Sequence, residues 1–199
     1  QKGGSVLSYV RLAAAPDQLN QVRIDHGMAD ALIACDMVVG TDPRAINVLR
    51  NQHTQVIVNM SELPSGDFVL ERDANMQADL RVKTLAEAVG PNLVNTLDAN
   101  SLAERLLGNT VFSNIFLLGY SWQLGLVPVS LQALLKAIEI NGVAVEANKQ
   151  GFHWGRLAAV EFDFVKAIAG EKPVEIATDL DSIIEKRYRF LVDYQNHSY

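Results

Sequence analysis

Cysteine is almost absent: Cys35 is the single one in 199 residues. That excludes an internal disulfide and any cysteine-ligated metal or iron–sulfur site built from this chain alone. It also fits a reducing compartment, so the expected location is cytoplasmic. Basic clusters are missing too. The net charge is −6, and the densest cationic group, Lys186, Arg187 and Arg189, has acidic neighbours. Nucleic acid is therefore not the expected partner, because phosphate neutralisation needs clustered Lys and Arg. No apolar run is long and clean enough for a membrane span. The longest, Val111 to Leu126, carries Ser113, Asn114, Ser121 and Gln123. No signal peptide is visible, and the chain opens on Gln1-Lys2-Gly3-Gly4 rather than Met, which reads as a loop entering a strand in an excised or processed piece. The familiar catalytic signatures are missing as well: no G-x-G-x-x-G, G-x-x-x-x-G-K-[ST], H-E-x-x-H, C-x-x-C or G-x-S-x-G. No catalytic residue and no metal site is assigned.

What is present is an ordinary globular composition, 49% hydrophobic and 20% charged, in a chain long enough for one sizeable core. Its organising stretch runs from Met28 to Pro64. Met28 to Cys35 is a run of good helix formers, and Met37-Val38-Val39 follows Asp36 as a brief apolar strand. Asp42 then caps a new helix whose first position suits Pro43, with Ala45, Ile46, Val48 and Leu49 as its apolar stripe. Gln55 to Asn59 is a β-branched strand, and Ser61 to Gly66 carries turn residues. Continuous rather than alternating apolar strands read as a sheet covered on both faces. The fold class is α/β, a three-layer α/β/α Rossmann-like sheet with a helical C-terminal part.

Around that centre, Ser5 to Ala13 reads as a strand, and Val22-Arg23-Ile24 as a short one. Asp67 to Leu70 suits an edge strand or hairpin arm. Asp79 to Val89 is a helix stopped by Gly90-Pro91, and Leu93 to Leu97 is a strand. Asp98 or Ser101 caps a helix through Leu107 that stops at Gly108. Val111 to Trp122 is helical and apolar on nearly all sides, so it is buried in a core or shared with a partner subunit. Ser130 caps the next helix, Asn141-Gly142 ends it, and Val143 to Trp154 continues as another. Glu161 to Pro173 is ambiguous, and an amphipathic helix runs from Asp179, Asp181 or Ser182 to about Tyr194.

Ligands in open α/β sheets gather at the carboxyl ends of strands, near helix N-termini. Gly40-Thr41-Asp42, with Arg44 as a charge-assisted donor, is such a place, and Asn59-Met60-Ser61 is its neighbour if the strands are parallel. The bland alternative for both is capping and turn formation. Lys2, Gly3 and Gly4 form a glycine-rich loop with one cation, fit for a phosphate or for a plain terminus. Asp25-His26 with Asp30 could donate to a metal, but without a partner set it reads as a polar loop. Cys35 reads as a small buried side chain rather than a nucleophile.

Gln1 to Ala13 resembles a segment of the gamma domain of 2-oxoacid:ferredoxin oxidoreductases, most like the fused single-chain indolepyruvate:ferredoxin oxidoreductases. The likeness continues through Ala31 to Val39, Val58-Asn59 and Pro64 to Phe68. It resumes at Leu97-Asp98-Ala99, Ala103 to Gly108, Leu118-Gly119-Tyr120, Gly125 to Pro128, Ala137 to Val145, Asn148 and Phe152 to Arg156. It implies a gamma-type domain over 1–156, also described as the pyruvate/ketoisovalerate oxidoreductase gamma domain, with 157–199 as a helical extension. By resemblance, the parent enzyme oxidatively decarboxylates an aryl 2-oxoacid to an acyl-CoA. It would use thiamine diphosphate and iron–sulfur clusters, with CoA as cosubstrate, and pass electrons to ferredoxin. The resemblance places those cofactors in other domains, so this chain is expected to bind none and to be inactive alone. A first strand, its glycine-rich turn, a helix and a second strand would precede Gln1. Expected partners are other domains or subunits of the same oxidoreductase and, with sheet edges left open, a second copy of the chain. An independent module binding a small ligand or nucleotide, with no redox role, is the competing reading.

Overall fold

A computed structural model describes residues 5–61 and 77–170, together with Ile184 and Tyr188, both helical. The centre is a parallel sheet of three short strands in the order β1 (Ala31–Ala34), β2 (Gln55–Asn59), β3 (Val94–Leu97). Leu32 pairs with Val56 and Ala34 with Val58, while Val56 pairs with Val94 and Asn59 with Leu97. The connections are helical. After β1 come α1 (Met37–Gly40) and α2 (Pro43–Ile46), and α3 (Ala78–Val89) leads into β3. Beyond β3 the chain is helical, with α4 (Ala99–Leu107), α5 (Ser113–Gln123), α6 (Leu131–Asn141), α7 (Val145–Ala158) and α8 (Phe162–Ala169).

Alternation along β2 sorts the core into two layers. Val56 and Val58 face a cluster with Leu32, Ala34, Met37, Leu49, Leu85 and Val89. Ile57 faces the opposite cluster of Leu97, Ala99, Leu102, Phe116, Leu117, Ala158 and Val165. Helices α1 and α3 therefore cover one face, and α4, α5, α7 and α8 the other. This is the three-layer α/β arrangement that continuous apolar strands imply. The strongly apolar α5 lies within the chain: Phe116 and Leu117 are buried against the sheet, and α7 packs on its other side. That contact is close because Gly119 and Gly155 bring the two backbones together. A Cβ on Gly119 would sit 2.0 Å from Phe152 O, and one on Gly155 1.9 Å from Phe116 O.

Several sequence expectations hold: the helix start at Pro43, though that helix ends at Ile46 and leaves Val48 and Leu49 beyond it, the helix end at Val89, the caps at Asp98 and Ser130, and the stops at Gly108 and Gly142. Others are corrected. Ala31–Ala34 within the run Met28–Cys35 is a strand, not a helix, because tertiary pairing with β2 overrides a weak local preference. Met37–Gly40 is helical rather than extended: the Asp36 carboxylate accepts from Val38 N at 2.7 Å and Val39 N at 3.2 Å and so fixes a first turn. Among the described residues Ser5 to Ala13 has no strand partner, and Val6, Val10 and Leu12 are exposed. Val22 to Ile24 is likewise unpaired. The ambiguous stretch after Val160 becomes α8. Lys2, Gly3, Gly4, Asp67 to Leu70 and most of the last amphipathic helix lie outside the described residues.

Candidate functional site

Because the strands are parallel, their carboxyl ends meet at one edge, and Asn59 is the residue that joins them. It ends β2 and is 1% exposed. Its Nδ2 donates to Cys35 O after β1 at 3.1 Å and to Asn100 Oδ1 in α4 at 3.0 Å. Its Oδ1 accepts from Ala99 N at 3.0 Å and from Ser61 N at 3.3 Å. Two donors and two acceptor positions are the whole capacity of a carboxamide, and all are used inside the chain. Asp36 and Asp98 flank it as caps, Asp98 accepting from Ser101 N at 2.9 Å. The edge is thus a set of short polar side chains that satisfy helix starts and tie three strands together.

Gly40 closes α1 against β1. A Cβ there would meet Ala34 Cβ at 2.5 Å, so the residue must be small for packing. Thr41 donates to Met37 O at 3.0 Å and Val38 O at 3.2 Å, and accepts from Arg81 Nη1 at 2.6 Å. Asp42 caps α2 by accepting from Arg44 N at 2.8 Å. The Arg44 side chain folds back onto the same carboxylate, Nε at 2.9 Å and Nη2 at 3.1 Å, a bidentate pair. Those hydrogen bonds and the Arg44 charge hold the Asp42 carboxyl below its ordinary range. Arg44 Nη2 also donates to Ser5 Oγ at 3.2 Å, which brings the residue after the Lys2-Gly3-Gly4 loop to this turn. Ser5 and Arg44 are therefore in contact at this turn. Asn59 is not part of this contact, being occupied at the buried edge.

Cys35 follows β1 and packs beside the second core layer. Burial, reinforced by the Asp36 charge, pushes its thiol pKa up, away from nucleophilic or metal-binding thiolate character. Asp30 pairs with His53 at 2.9 Å rather than with His26. Among the described residues no three His, Cys, Asp or Glu side chains come together to hold a metal. The sequence reading missed Arg81, whose helical setting gave no local sign of its contact 40 positions away. It also missed a cleft between α4 and α8, lined by Asp98, Ser101, Arg105, Phe162 and Lys166. That cleft exists only because the ambiguous stretch after Val160 is helical. Arg105 Nη1 donates to Gly170 O there and fixes the end of α8.

No described helix is long and apolar enough to cross a membrane. No curated protein and no solved structure matches the chain. A family model does, the one described as pyruvate ferredoxin/flavodoxin oxidoreductase, and it matches residues 1–158. With an α/β sheet layered between helices over the same residues, the chain belongs to the pyruvate ferredoxin/flavodoxin oxidoreductase family, as a gamma-type domain.

Proposed function

We propose that this domain is a non-catalytic docking and structural part of an aryl 2-oxoacid:ferredoxin oxidoreductase, with indolepyruvate as the substrate to which the sequence resemblance points. In this reading thiamine diphosphate supplies the decarboxylation chemistry from another domain, with CoA as acyl acceptor and ferredoxin as electron acceptor. The domain works in the cytoplasm beside the other domains or subunits of the same enzyme and as part of a homo-oligomer. One observation carries the reading. At the edge where such folds place their ligands, the polar side chains of Asn59, Asp36 and Asp98 are committed to hydrogen bonds within the chain.

The residues also fail to fit the groups that the family implies. A cluster bound by thiolates takes about four cysteines, and this chain has one, half-buried. The divalent ion that bridges a diphosphate needs converging oxygen ligands, and no such set forms among the described residues. The test is the 199-residue chain purified and assayed with indolepyruvate, CoA and a viologen acceptor. The expected result is a colourless protein with no acceptor reduction, and a parent enzyme that loses assembly when 1–158 is deleted. A brown preparation with cluster absorbance, or reduction by the chain alone, overturns the proposal.

A further inference from the structure

Helix α8 buries Val165 completely and leaves a second apolar face in solvent. Phe164 and Ile168, one turn apart, are 54% and 49% exposed, and Val160, in the turn before the helix, is 63% exposed. Apolar positions at a four-residue spacing make a stripe along one side of a helix. The chain does not end there: 29 residues, 171–199, follow Gly170. Within them Ile184 and Tyr188 are helical, one turn apart, and 56% and 50% exposed. The sequence extends that second stripe with Leu180 before it and Leu191 after it. Two amphipathic segments, consecutive in the chain, thus carry apolar faces of matching spacing.

We propose that the C-terminal segment from Leu180 to Leu191 docks its apolar face on the exposed Phe164–Ile168 face of α8 in the same chain, as an antiparallel helical hairpin. Three observations favour this occupant over any other. The connection 171–179 spans up to about 30 Å, enough for the return along α8, and a short tether holds the second face at an effective concentration on the order of millimolar. The Arg105 bond to Gly170 O fixes the point where the connection leaves α8, two residues after Ile168. Charge agrees with an antiparallel direction. The start of α8 is acidic, with Glu161 and Asp163, and the later part of the tail sequence carries the basic Lys186, Arg187 and Arg189.

Hydrogen exchange on the 199-residue chain at two concentrations, with light scattering alongside, tests this. Amides of 184–191 are expected to exchange at least tenfold faster in Phe164→Asp than in the parent chain. Amides of α8 are expected to exchange at least tenfold faster in Ile184→Asp, and β2 amides to stay unchanged in both. The coupling should be the same at both concentrations, whatever the assembly state. If Phe164→Asp also exposes β2, the fold itself has been disturbed and Ile184→Asp alone decides. Unchanged α8 exchange in Ile184→Asp overturns the proposal. So does coupling that disappears on dilution, which would make a second copy the occupant. Equally fast exchange of both segments in the parent chain overturns it too and leaves the stripe to another domain.

Discussion

Replacing Gly155 with alanine adds one methyl group where α5 and α7 touch, and the structure says how little room exists. The new Cβ would lie 1.9 Å from Phe116 O, 2.8 Å from Phe116 C and 2.9 Å from Tyr120 N. All three are backbone atoms, and ordinary contact needs about 3.5–4.0 Å. No rotamer change can make that space, so the helices must move apart by about 1.5 Å or more. Phe116, Leu117 and Phe152, all fully buried at this crossing, would lose contact. Overpacking a tight core costs about 1–3 kcal/mol, and a backbone obstruction belongs at the upper end. Alanine returns about 1 kcal/mol through its better helix propensity. The expected net loss is about 2 kcal/mol, or about 4–8 °C in melting temperature for a chain of this size. Gly151, one turn earlier on α7, is the control. Its Cβ would meet Ile115 Cγ2 at 2.9 Å and Leu107 Cδ1 at 3.2 Å, the ends of movable side chains. Gly151→Ala should stay within about 1 kcal/mol of the parent chain, with the propensity gain offsetting the crowding. Urea unfolding of the three proteins measures both. Equal stabilities of Gly155→Ala and Gly151→Ala would refute the backbone-contact argument.

Three further outcomes are expected. Asn59→Ala strands buried partners at the ends of all three strands and should cost about 2–4 kcal/mol in urea unfolding, at roughly 1–3 kcal/mol for each group left unsatisfied; a loss below about 1 kcal/mol would show that the edge rearranges freely. Burial and the nearby Arg156 charge lower the His153 pKa from 6.5, so the fold prefers the neutral ring. That contribution is present above the unfolded pKa and lost as pH falls through the folded one, so stability should drop below about pH 6.5 and His153→Gln should flatten the drop. Among the described residues β1 and β3 have open outer edges and Val6, Val10 and Leu12 are exposed, so the chain should associate. Light scattering across a dilution series that shows a monodisperse monomer throughout would refute that expectation.

How much of this fold can be read from residues alone depends on whether the deciding interaction is local. Caps and stops are local: Asp42 with Pro43, Asp98, Ser130, Gly108 and Gly142 stand where the sequence puts them. The identity of Ala31–Ala34 is not local. Alanine and leucine favour a helix, yet four residues gain more from the ladder with β2 and from burial of Leu32 and Ala34. Once β1 is extended, Asp36 becomes a cap instead of a break, and Met37–Val39 turns helical. A single wrong period thus exchanges two neighbouring elements. Ser5 to Ala13 fails for the related reason that β-branched residues suit a sheet but do not supply a partner strand.

The site divides the same way. The sequence places Asn59 correctly at the end of a strand, but Gly40, Thr41 and Arg44 follow the helix α1 rather than a strand and sit at the turn between α1 and α2. What it cannot show is where their hydrogen bonds go. Asp42 takes up both an amide and the guanidinium of Arg44, and Gly40 is small because Ala34 touches it. The same residues would read identically in a domain whose edge held a ligand. The difference lies in long-range partners such as Asn100 for Asn59 and Arg81 for Thr41, each about 40 positions away. With its polar edge turned inward, the domain also shows its surroundings exposed apolar side chains, Val6 and Val10 before β1 and Phe164 and Ile168 on α8. Such patches cost free energy in water and are kept where another surface covers them.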